Sequence, residues 1–250
     1  MRYIKAERRG RALWITFDRP EKHNILHPQD LSELRDVIAR LSSGVQAIVF
    51  TGAGQAAFSA GMNIEAFVGL TAARAHALIG DLAQVMQAIR HSPVATVAVV
   101  NGYCLGAAFE LALSCDVRVV ARTASFGLPE IKVGVPSVIE AALLPAFVGL
   151  SRAREMVLTG DIYRLDQLPP GSIANVVAEP GELAAAAESL LDRVATHPRT
   201  VTAAQRRLFD LWLNNPLDDC VNASMTEFAK VFESHETHEQ IARHHKRITG

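Results

Sequence analysis

Over the first 180 residues, short apolar runs alternate with segments whose apolar positions recur at intervals of three and four. Residues 2–17 read as a hairpin, because YIKAERR and ALWITF flank Gly10 and Arg11, and Asp18-Arg19-Pro20 ends the second run. Pro28 occupies the first turn of a helix with Leu31, Leu34, Val37, Ile38 and Leu41 on one face, and Gly44 follows its end. AIVFTG at 47–52 predicts a strand. After a glycine-rich loop to Gly61, Ala75, Leu78, Ile79, Leu82, Val85, Met86 and Ile89 mark one face of a long helix. A strand at 94–100, a helix from about 107, a strand at 117–121, an extended piece at Ser125-Phe126 and a helix at 138–148 continue the series. Such alternation predicts an α/β core over 1–180 with a mainly parallel sheet and right-handed crossovers. Beyond 180 the pattern is helical only, and 165–171, with Pro169 and Pro170, predicts the loop that leads into this 181–250 region.

Composition narrows the class. A hydrophobic fraction of 49% with 20% charged residues describes a packed globular chain and excludes a disordered polyelectrolyte. Twenty-five Lys and Arg against 26 Asp and Glu leave a formal charge of −1, so no global field favours nucleic acid or an anionic membrane. The 19 residues between Arg90 and Glu110 carry no charge and are long enough to span a bilayer, but Pro93, Asn101, Gly102 and Gly106 divide them into strand, turn and helix start. The charged N-terminus offers no signal peptide, and three cysteines without a CxxC pair fit a reducing cytoplasm.

Several motifs compete for the chemistry. Gly52-Ala53-Gly54-Gln55-Ala56-Ala57 follows a strand and matches the dinucleotide fingerprint GxGxxA, yet Phe58-Ser59-Ala60-Gly61 interrupts it and no ribose-binding acid follows at the required distance. Ala57-Phe58-Ser59-Ala60-Gly61 lies one residue from the GxSxG nucleophile elbow, which would make Ser59 a nucleophile. His235, His238, His244 and His245 have the spacing of a helical zinc pair but lack a further ligand cluster, so no metal is expected.

A third reading unites distant segments. Ala57-Phe58-Ser59-Ala60-Gly61-Met62-Asn63-Ile64, Asn101-Gly102-Tyr103-Cys104-Leu105-Gly106-Ala107-Ala108-Phe109-Glu110, and Ser114-Cys115-Asp116-Val117-Arg118 through Phe126-Gly127-Leu128-Pro129-Glu130 stand in order across the chain. With Asp18-Arg19-Pro20-Glu21-Lys22-His23-Asn24, they resemble the crotonase superfamily, the enoyl-CoA hydratase and isomerase family. The resemblance implies an α/β fold of repeated ββα units with a C-terminal helical region that builds trimers or hexamers and covers the site. It also implies an acyl-CoA substrate with no separate cofactor, coenzyme A being part of the substrate.

The same resemblance assigns roles. An enolate oxygen needs preorganised donors, and these fall to the backbone N–H groups of Met62 and Ala107; neither residue is proline, so both donors exist. Glu110 and Glu130 occupy the family's two acid positions, Glu130 implied to supply the Cα proton and Glu110 to orient water. Sequence leaves open which of them is protonated. CoA is implied to meet Lys22, His23, Ala60 and Ile64, with Lys246 or Arg247 as further phosphate contacts, and Asn63 replaces a common aspartate. Gly134-Val135-Pro136-Ser137-Val138-Ile139-Glu140 departs from the family pattern: it is one residue shorter and lacks the glycine-rich turn. Ser137 is expected to offer its backbone N–H to water or the acyl group, and Ser137-x-x-Glu140 predicts a capping box, which would make Glu140 structural. Retention of both glutamates favours a hydratase; isomerase, thioester hydrolase, and a non-catalytic CoA- or RNA-binding relative using Arg8, Arg9, Arg11, Arg206 or Arg207 are the alternatives.

Overall fold

A computed structural model describes residues 3–249, so the beginning of the expected hairpin at residue 2 lies outside the described residues. β1 (Ile4–Arg9) and β2 (Ala12–Phe17) form that hairpin, α1 (Pro28–Ala39) follows, and β3 (Ala47–Gly52) pairs parallel to β2. A short β4 (Ala57–Ser59) precedes α2 (Ala72–Arg90); β5 (Ala95–Val100), β6 (Tyr103–Leu105) and α3 (Ala107–Ser114) make the next unit. β7 (Val117–Ala121), β8 (Ser125–Gly127), α4 (Leu144–Val148), α5 (Leu150–Thr159), β9 (Ile162–Arg164) and β10 (Val176–Ala178) complete the sheet region. α6 (Leu183–Val194), α7 (Arg199–Asn214), α8 (Leu217–Val231) and α9 (His235–Thr249) end the chain.

The strands divide between two sheets, β1-β2-β3-β5-β7-β10 and β4-β6-β8-β9. Each ββα unit places its longer strand in the first sheet and its shorter strand in the second. Every pairing is parallel except β1 with β2 and β8 with β9. All six residues of β5 are buried, as a central parallel strand covered on both faces requires. The core runs from Phe17 and Phe50 through Phe58, Phe109 and Phe126, and α6 joins it with Leu183, Ala187, Leu190 and Leu191. No helix among the described residues is long and apolar enough to cross a membrane.

Two expectations need correction. The segment predicted as one helix from 138 to 148 is a 3-10 turn (Ile139–Leu143) followed by α4 and, beyond Gly149, α5. Ile139 lies at φ 51°, a left-handed conformation in which a regular helix cannot start, so the capping box does not form: Val138 stands at the N-cap with no side-chain cap bond. The expected loop at 165–171 leads first to β10, which pairs with β7, before any C-terminal helix begins.

Candidate active site

The short strands bring three loops together. Leu26 forms a parallel bridge with Met62: Leu26 N–H donates to Gly61 O at 2.8 Å and Asn63 N–H donates to Leu26 O at 2.8 Å. In such a bridge the partner residue's own N–H points away from the ladder, so that of Met62 is directed to the opposite side. Ala107 opens α3, where a first-turn N–H has no intrahelical acceptor and the helix dipole favours negative charge. A methyl group built on Gly61 would stand 3.3 Å from Ala107 N and 2.7 Å from Leu105 O, so the two backbones touch only because residue 61 is glycine. Gly106, at φ +55°, makes the equivalent approach to an acid: a methyl there would lie 2.6 Å from Glu130 Oε1.

Glu110, on the first turn of α3, is 2% exposed. Its Oε2 accepts the N–H of Glu140 at 2.9 Å and that of Ala141 at 3.3 Å. The left-handed turn at Ile139 delivers these two consecutive donors. Burial, then the neighbouring Glu130 charge, pushes the Glu110 carboxyl up to about 8, against the opposing pull of the two amides. Glu130 sits in the 3-10 turn Pro129–Val133, and burial raises its pKa too, while the Ser137 hydroxyl, 2.9 Å from its Oε2, works in the opposite direction. Ser137 thus engages an acid through its side chain, a contact the expected backbone role did not foresee.

Glu140 is not a cap but the inner end of a charge network. It is 6% exposed, with Oε1 3.1 Å from Arg90 Nε, and Arg90 Nη1 reaches Asp210 on α7 at 3.2 Å. Glu140 Oε2 is buried without a hydrogen-bond partner among the described residues; burial raises its pKa and Arg90 lowers it. The Arg90 network was missed by sequence reasoning, because contacts between residues 90, 140 and 210 leave no local pattern.

The early loop borders the same region. Arg19 pairs with Asp30 at 2.6 Å, both side chains buried, and Asn24 donates to the carbonyls of Ala53 and Ala57 at 2.9 and 2.8 Å. Ala60 N–H donates to His23 O at 2.9 Å, joining this loop to the Met62 segment. Lys22 and Ile64 are exposed, Ala60 and Asn63 are half-buried, and His23 lies edge-on to Tyr103 with ring centroids 6.2 Å apart. Asn63 caps the short turn over Ile64–Phe67 by accepting from Glu65 N–H at 3.2 Å. Lys246 and Arg247 lie exposed on α9.

The competing motifs resolve into structure. Ser59 is fully buried, its Oγ accepting the Gly61 N–H at 3.1 Å, so it offers no exposed nucleophile. The Gly52 loop turns into β4 instead of a helix, and a methyl on Gly52 would meet Ala57 O at 2.2 Å; close strand approach, not pyrophosphate, explains that glycine. Arg206 is buried, donating to Ile89 O, Arg90 O and Ser92 O, and Arg207 pairs with Glu227, so neither forms an open phosphate-binding patch. Among the described residues no three His, Cys, Asp or Glu side chains gather as metal ligands.

The fold of ββα units, with Glu130 against Gly106 and Glu110 one turn further along α3, can be set beside known proteins. The family model described as enoyl-CoA hydratase/isomerase matches residues 7–248; the chain belongs to this family. A probable enoyl-CoA hydratase of Mycobacterium tuberculosis is 31% identical over 221 residues, covering 86% of this chain and 85% of that protein. The short-chain-enoyl-CoA hydratase of Clostridium acetobutylicum is 26% identical, covering 91% of this chain and 88% of its own. Among solved structures, Pseudomonas aeruginosa DspI superimposes with a TM-score of 0.93 at 26% identity, covering 99% of this chain and 95% of that one.

Proposed function

We propose that this protein reversibly hydrates the α,β double bond of an enoyl-CoA thioester. The observation that carries the reading is the approach of Glu130 Oε1 to Gly106, directly before the Ala107 donor, with buried Glu110 one turn further along α3. The thioester oxygen would accept from Met62 and Ala107 N–H, so that negative charge developing on it meets oriented donors. Water adds to Cβ as one carboxylate takes its proton, and the other carboxyl gives a proton to Cα. In the division carried over from the family, Glu110 handles the water and Glu130 the Cα proton.

Burial raises the pKa of both carboxyls, the Glu130 charge adding to the effect at Glu110, so the neutral acid form is favoured at a site where hydration needs one acid and one base. As one carboxyl gives a proton to Cα the other takes one from water, so hydration would leave the two carboxyls with exchanged protonation states. CoA would lie along Lys22, His23, Ala60, Asn63 and Ile64, with no separate cofactor. The chemistry is assigned to a cytoplasm, in keeping with three free buried cysteines. Residues 181–250 are assigned to oligomerisation as a trimer or hexamer and to covering the site, supported by the exposed apolar side chains of α7 and α8.

The test is a mass-spectrometric assay on crotonyl-CoA and a panel of longer and branched enoyl-CoAs. Addition of water, reduced at least about a hundredfold by Glu110→Gln and by Glu130→Gln, is expected. A product of unchanged mass with a moved double bond would replace hydratase by isomerase, and free CoA would replace it by hydrolase.

A further inference from the structure

The segment Gly134–Glu140, which departs from the family pattern, lies against both acids. Pro136, whose ring fixes φ, leads into Ser137. Ser137 is half-buried, and its Oγ stands 2.9 Å from Glu130 Oε2. The other oxygen of the same carboxyl, Oε1, lies against Gly106 at the mouth of the Met62 and Ala107 donors. The two oxygens of Glu130 therefore have different surroundings: Oε2 is engaged by a hydroxyl, and Oε1 lies against Gly106, the residue before the Ala107 N–H.

We propose that Ser137 is a positioning residue for Glu130, its hydroxyl binding Oε2 and so presenting Oε1 as the oxygen that exchanges the Cα proton. This rests on the hydratase reading and adds the atom through which Glu130 acts. Capping does not account for the serine, since the turn that follows has Val138 at its N-cap and no side-chain cap bond. A hydroxyl both donates and accepts, so it follows the carboxyl through both protonation states. It binds the ionised form more strongly, because charge-assisted hydrogen bonds are the stronger kind. Ser137 also opposes burial, which favours the neutral acid at Glu130. Glu110 receives its bonds from the same segment, three residues further on, through Glu140 and Ala141. One stretch of chain thus holds both acids, each by a single oxygen.

The test compares wild type with Ser137→Ala and Ser137→Thr, each also in the Glu130→Gln background. Turnover of crotonyl-CoA is followed across pH, and the Glu130 carboxyl is titrated by NMR on protein with ¹³C-labelled glutamate, its signal assigned by its loss in Glu130→Gln. Ser137→Ala is expected to lower kcat about tenfold with KM little changed, to move the Glu130 midpoint upward, and to have no further effect once Glu130 is glutamine. Ser137→Thr, which keeps the hydroxyl, should restore both readouts. An unmoved Glu130 midpoint in Ser137→Ala, or an equal loss of kcat in both backgrounds, would overturn the proposal. A shifted midpoint in a protein that hydrates none of the panel would keep the serine's hold on Glu130 while removing the hydratase reading.

Discussion

At the scale of single residues, the site sets burial against charge. Glu110 is almost wholly excluded from solvent, yet in the unfolded chain it would titrate as an ordinary carboxyl. Between its usual value of 4.5 and about 8, the folded protein holds a proton that the unfolded chain has released. Stability therefore falls as pH rises through that window and levels off above it. Glu110→Gln removes this dependence while leaving an amide oxygen for the Glu140 and Ala141 donors. It should change stability little at pH 4.5 and raise it by a few kcal/mol at pH 9, each tenfold difference in proton affinity between the folded and unfolded chain being worth about 1.4 kcal/mol. Urea titrations of both proteins at those two pH values check this, and a difference independent of pH would contradict it. The same variant should be more stable and less active, as expected where function imposes a local cost.

At the scale of elements, what sequence revealed depended on whether a side-chain pattern or a backbone contact was responsible. α1, α2, β3, β5 and β7 were legible because their apolar periodicity is local and strong. β4, β6 and β9 have only three residues each, too few to display a period, and they are held by pairing across the chain. Glu110 and Glu130 were legible through the family motifs, but the turn cradling Glu110 was not, since a β-branched residue at positive φ is the last choice that local preference would make. The network of Arg90, Glu140 and Asp210 was equally hidden, and it joins the end of α2 to the acid turn and to α7. Arg90→Met leaves buried Glu140 without its cation. It should cost about 2 kcal/mol, less than a fully buried pair because Arg90 remains one-third exposed, and thermal denaturation reads the loss. Arg90→Met with Glu140→Gln should recover part of that loss.

At the scale of the whole molecule, the two ends of the chain differ in how they are covered. The sheets and α6 enclose a continuous core, whereas α7 and α8 expose Trp212, Leu217, Met225 and Phe228 around an apolar groove of about 970 Å³. A patch of this kind rarely stays open on a soluble monomer. Light scattering coupled to size exclusion is expected to give a trimer or hexamer, and Phe228→Glu should shift the distribution toward monomer while lowering the melting temperature. A wild-type protein that runs as a monomer at micromolar concentration would refute the assembly. No pattern in this chain gives the number of copies; that expectation rests on family likeness alone.

The bridge between Leu26 and Met62 has a consequence for how a large thioester could be read by a small site. Met62 belongs to the strand edge that the early loop grips through Leu26 and through His23 with Ala60. These backbone bonds tie the position of that loop to the position of the Met62 segment. Under the proposed function, the loop assigned to the CoA handle and the amide assigned to the thioester carbonyl would be tied to each other through these contacts. A truncated thioester lacking the handle would forfeit rate as well as affinity, as expected when remote contacts are used to align the reacting centre.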